Sequence, residues 1–104
     1  MIANYPKKVY KTMCGLLKKC KGKSAALTNN QIQQVVAYKT GIWLADTEIR
    51  NIIHEIRINH DVKNLIACGN GYYTSKDKAE IERYKNALIK RAYLIYMVAG
   101  SYKK

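Results

Sequence analysis

The chain has 104 residues, enough for one domain with a modest core, and no stretch approaches the roughly twenty apolar residues of a membrane span. A formal net charge of +12 favours a polyanionic partner, of which nucleic acid is the commonest. Cys14, Cys20 and Cys68 are an odd number without paired metal spacing, which argues for free thiols in a reducing cytosol and against a disulfide framework or a four-ligand zinc site.

Met1-Ile2-Ala3-Asn4-Tyr5-Pro6 lacks the apolar core of a signal peptide, so the chain is expected to stay where it is made. Tyr5-Pro6 opens a predicted helix with Val9, Met13, Leu16, Leu17 and Cys20 on its buried face. Lys7, Lys8, Lys11, Lys18 and Lys19 mark the wet face. Gly15 costs such a helix about 1 kcal/mol against alanine, which points to close packing there. The Lys18–Lys23 run with Gly22 reads as a solvated loop, and Ser24–Leu27 as a short third strand beside a later hairpin.

Thr28 is suited to cap a second helix running to about Lys39, with Ile32, Val35, Val36 and either Tyr38 or the stem of Lys39 facing inward. Gly41 fits the left-handed residue after its end. Ile42-Trp43-Leu44 cross over, with Trp43 expected as a core plug and base stacking as the alternative. Asp46 or Thr47 then caps a third helix through His60. Ile49, Ile52, Ile53 and Ile56 recur at i, i+3, i+4 and i+7, which sets four β-branched side chains on one face. The opposite face carries Thr47, Arg50, Asn51 and His54, with Arg57 and Glu55 at its borders.

Turn formers accumulate at Asn59-His60-Asp61, where His60 is read as an ordinary surface residue. Leu65–Cys68, the tip Gly69-Asn70-Gly71 and Tyr72–Thr74 follow in the order of a hairpin, and the tip residues suit the positive φ of a tight turn. Ser75 is expected to cap a last helix from Lys76 to about Ala99, with Asp77 near the positive end of its dipole. Ile81, Tyr84, Leu88, Ile95 and Val98 form one apolar line, interrupted by Arg91. Ile89, Tyr93, Tyr96 and Met97 form a second. A helix of about 23 residues is roughly 35 Å long, more than a small body covers, so the surplus is expected to pair with a second copy of the chain.

Two runs of elements follow from this reading: residues 1–75 as an α+β winged helix-turn-helix of three helices and a hairpin wing, and residues 76–104 as a long C-terminal helix for packing or dimerisation. Charge is unevenly divided among them. Residues 1–24 carry seven lysines and no acid. Residues 25–75 balance Lys39, Arg50, Arg57 and Lys63 against Asp46, Glu48, Glu55 and Asp61, while residues 76–104 set eight basic groups against Asp77, Glu80 and Glu82. The stretch with the reading helix is neutral and its flanks are basic. No nucleophile elbow, phosphate loop, HExxH or CxxC occurs, and no acids form a pair spaced for general acid–base work. The sequence reads as a non-enzyme without cofactor or metal.

Val9-Tyr10-Lys11-Thr12-Met13 ahead of Leu27-Thr28-Asn29-Asn30-Gln31-Ile32 is similar to the start of a family of small winged-helix proteins encoded by bacteriophages and mobile elements of Gram-positive bacteria. Glu48-Ile49-Arg50-Asn51-Ile52-Ile53-His54-Glu55-Ile56-Arg57 resembles the same family, as does Gly71-Tyr72-Tyr73-Thr74-Ser75 before an acid-led helix containing Tyr and Arg. The resemblance covers roughly residues 8–99. It departs from the family's pattern where Ile56-Arg57 stands for leucine-arginine, and where Asn59-His60-Asp61 lies in a longer segment lacking the customary glycine. It implies DNA binding in phage gene control or replication, in the cytoplasm of a bacterial host.

On this reading the third helix enters the major groove of double-stranded DNA, as in other helix-turn-helix proteins. Arg50 matches guanine and Asn51 adenine bidentately, with Thr47, His54 and Arg57 flanking them. Asn70 at the wing tip and Lys7, Lys8 and Lys11 contact phosphate. Arg57 has the alternative of pairing with Glu55 or an acid of the last helix. Ile89, Tyr93, Tyr96 and Met97 are the expected dimer contacts. The rival is a phage-encoded inhibitor that binds a host protein, such as a replication factor or a CRISPR nuclease, since aromatics and arginine are the usual anchors of protein interfaces.

Overall fold

A computed structural model describes residues 5–102. Helix α1 spans Lys7–Lys18, α2 Asn29–Thr40, α3 Asp46–Asn59 and α4 Lys78–Ser101; strands β1, Leu65–Cys68, and β2, Gly71–Thr74, lie between α3 and α4. The fold is α+β, with four helices and a two-stranded antiparallel sheet in which Leu65 faces Thr74 and Cys68 faces Gly71. Among the described residues no helix is long and apolar enough to cross a membrane.

The core follows from the helical periodicities. Val9, Met13 and Leu17 of α1, Ile32 and Val36 of α2, and Ile49, Ile52, Ile53 and Ile56 of α3 are all buried in one cluster with Leu44, Val62 and Leu65. Leu16 and Val35, read as core, are half-buried at its edge. A smaller cluster of Cys20, Ile66 and Tyr73 closes the far side of the sheet. The three cysteines are free thiols, and burial pushes those of Cys14 and Cys20 up.

Helix α2 starts on a capping box: Thr28 Oγ1 accepts from Gln31 N–H at 3.2 Å, and Gln31 Oε1 accepts from Thr28 N–H at 2.9 Å. It stops at Gly41, whose φ of 74° is the expected left-handed conformation. The buried Gln33 donates its side-chain amide to the Leu44 carbonyl, fixing the α2–α3 turn against α2. In that turn Leu44 is buried, whereas Trp43 is 64% exposed and Tyr38 90% exposed. Neither is a core residue: the Gln33 bond anchors the turn at the Leu44 carbonyl, Leu44 takes the buried place in it, and Trp43 is left outside.

Several local expectations are corrected. Helix α3 is capped neither by Asp46 nor by Thr47; Ala45 is the cap residue, and the Glu48 side chain accepts its N–H at 2.9 Å. Gly15 is exposed with open space beside it, so no neighbour approaches. Lys23–Ala25 is a 3-10 turn, not a strand, and only Leu27 pairs with Tyr72, while Lys21 bridges to Thr74. At the hairpin tip the positive φ falls on Gly71 alone. His60 is exposed but closes α3 in the left-handed region at φ 60°, where the family resemblance expects a glycine. Finally, α4 is capped by Asp77, whose Oδ1 accepts from Ala79 and Glu80 N–H. Ser75 donates to Glu80 instead and accepts from Asp77 N–H.

Candidate nucleic-acid interface

With the isoleucine face of α3 buried, its opposite face is fixed outward. Thr47, Arg50, Asn51 and His54 are all exposed along it. Arg50 also borders a shallow groove of about 240 Å³ shared by Thr28 and Asn29 at the start of α2 and by Cys68, Gly71 and Tyr72 of the hairpin. Tyr72 is pushed up by burial, against the opposing pull of Arg50 and Arg57, which places its hydroxyl in the field of both guanidinium groups. Asn29 Oδ1 is buried there without a hydrogen-bond partner. The exposed Asn70 tips the two-residue turn between the strands. Thus α2, α3 and the hairpin meet at one concave surface around Arg50.

Arg57 belongs to a different arrangement. It is half-buried, donates to the Tyr84 hydroxyl from α4, and stands 5.6 Å from that ring's centroid. Its partner is therefore a last-helix tyrosine rather than an acid. The same hydroxyl accepts from Ala67 N–H of β1 at 3.3 Å. Arg57 thereby joins α3, the hairpin and the root of α4.

Lys7, Lys8 and Lys11 are exposed on α1. The start of α1 is tied to the far half of α3: Tyr5 donates to Glu55 at 3.0 Å and Tyr10 to Asp61 at 2.6 Å, with Asn59 donating to Tyr10. Desolvation, then the bonds to Glu55 and Asp61, push both phenols up to about 12, with the Asn59 bond opposing the shift at Tyr10. The α1 lysines accordingly flank the end of α3 away from Arg50. Ile89, Tyr93, Tyr96 and Met97 stand apart from this surface, on a part of α4 that touches no core cluster.

Sequence reasoning missed Thr28, Asn29 and Tyr72 as groove residues and Trp43 as an exposed aromatic near the start of α3. The antiparallel pairing of Leu27 with Tyr72 brings the first three together, a tertiary contact without local signal. No protein-family model matches the chain, no curated protein matches it, and no solved structure matches it.

Proposed function

We propose that the chain is a winged helix-turn-helix protein that binds double-stranded DNA sequence-specifically, in the manner of the phage-type proteins its sequence resembles. The observation that carries this reading is the outward face of α3, Thr47, Arg50, Asn51 and His54, standing beside a hairpin and the start of α2. In the reading, α3 enters the major groove, Arg50 and Asn51 read base edges, and Asn70 and the groove around Arg50 meet the backbone. Replacing both Arg50 and Asn51 by alanine should bring binding to a selected duplex down towards the nonspecific level, each bidentate contact contributing about 1–3 kcal/mol of discrimination. Fluorescence anisotropy on selected and scrambled duplexes measures it. Failure of selection to yield any preferred duplex would end the proposal.

A second reading, an inhibitor docking on a host protein, is favoured by the exposed Trp43 and Tyr38, because aromatic side chains dominate interface energetics. A protein partner that survives nuclease treatment and is lost on Trp43→Ala, but not on Arg50→Ala, would put this reading first.

A further inference from the structure

Beyond the root of α4, the helix leaves the body and remains apolar. Ala92 to Ala99 are eight consecutive apolar residues, and Tyr93 through Val98 each keep more than half their surface exposed, up to 74% at Tyr96. A helix apolar on all sides is stable in water only when covered. We propose that a second copy of this chain covers it, the two α4 tips packing antiparallel. This surface is independent of the one assigned to DNA.

Area and charge both identify the occupant. Six large side chains at more than half exposure present several hundred Å², the order of the roughly 800 Å² that each partner of a standard interface contributes. Two chains of net charge +12 repel wherever lysines and arginines face one another. Residues 92–102 hold no Lys, Arg, His, Asp or Glu, so copies can meet there without apposing like charges. That stretch is about 16 Å long. Antiparallel overlap brings each copy's Lys90-Arg91 towards the partner end where the sequence continues into Lys103-Lys104. It keeps the two basic bodies on opposite sides of the neutral contact, farther apart than the Debye length of about 8 Å, whereas parallel overlap would set the bodies side by side. Parallel overlap would stack Lys90 and Arg91 on their own copies. A membrane surface fits less well, since a helix lying on lipid needs one strongly polar face and this stretch has none.

Sedimentation equilibrium of the full chain in reductant, from about 1 to about 100 µM, tests the proposal, because interfaces of this size begin to associate in the micromolar range. Association to a dimer, or to a tetramer using the same tips, is expected. It should tighten with added salt as repulsion between the bodies is screened. Ile95→Lys with Tyr96→Lys should give a folded monomer throughout that range, since both positions lie outside the core clusters, and its melting temperature should lose the dependence on protein concentration that the wild type shows. Trp43→Ala, at an exposed aromatic outside α4, should leave the mass as it was. A wild-type monomer at the highest concentration overturns the proposal, as does assembly that persists in the tip variant. So does a monomer that floats with phosphatidylglycerol vesicles through residues 95 and 96.

Discussion

A Cβ built on Gly71 would stand 2.0 Å from the Leu27 carbonyl oxygen, at a φ of 115° that side chains rarely adopt. The closeness comes from the bridge between Leu27 and Tyr72, which exchange backbone bonds of 2.8 and 3.1 Å. Gly71→Ala must break that bridge as well as strain the turn, and should cost at least about 2 kcal/mol in urea denaturation. Gly69→Ala, at the same tip with open space and no positive φ, should shift stability by about 0.5 kcal/mol or less. Equal effects at the two positions would show that the bridge contributes nothing. The sequence marks Gly69-Asn70-Gly71 as a turn because glycine and asparagine tolerate positive φ. It cannot say which of the three will need it. That is decided by the chain before α2 lying across β2.

Three joints between elements are tyrosine hydroxyls donating to carboxylates. Tyr5–Glu55 and Tyr10–Asp61 hold α1 to α3, and Tyr73–Glu80, at 2.6 Å, holds the hairpin to α4. The bond to Glu80, then desolvation, pushes Tyr73 up to about 12, while Ser75 and Tyr73 together hold the Glu80 carboxyl below its usual range. Three phenols whose folded value lies above the ordinary 10.0 contribute stability that is complete below pH 10 and lost as pH rises through about 12. The melting temperature should therefore fall between pH 10 and 12, and fall less in Tyr5→Phe with Tyr73→Phe. Lysine deprotonation in the same range relieves repulsion and opposes the effect, so the comparison with the variant isolates the phenols. Parallel curves for the two proteins would refute the assignment. These joints also set the limit of what is legible in the sequence. The Ile49, Ile52, Ile53 and Ile56 stripe is readable because period and burial coincide within one element. The cap at Asp77 rather than Ser75, and the Arg57–Tyr84 contact across 27 residues, depend on where α4 meets the hairpin, which no local pattern encodes. For the outward face of α3, the isoleucine stripe is enough; for Trp43, a large apolar residue in a turn gives no sign of which way it points.

Across the whole molecule, charge is sorted by what the acids are engaged in. Five of the seven carboxylates, Glu48, Glu55, Asp61, Asp77 and Glu80, accept bonds from hydroxyls or backbone N–H, so they act as joints and caps. The lysines of α1 and α4 remain at the surface of a body whose central stretch is neutral. With α4 projecting, the radius of gyration is 15.3 Å against about 13 Å for a compact chain of this length, which spreads that charge over a longer shape. A DNA complex of this protein would then draw its affinity from the flanks and its selectivity from α3. Replacing Lys7, Lys8 and Lys11 together by alanine should weaken binding to selected and scrambled duplexes by the same factor. It should also flatten the slope of log K against log salt by about 0.9 for each phosphate left without its lysine, up to roughly 2.7. Arg50→Ala should do the reverse, changing the slope by about one unit at most while cutting the preference for the selected duplex by about 1–3 kcal/mol. The α1 lysines flank the end of α3 tied by Glu55 and Asp61, so the duplex must run past that end for the slope to change. If the triple variant keeps the wild-type slope, α1 lies off the backbone path, and the cations of the other basic segment, 76–104, become the ones to replace.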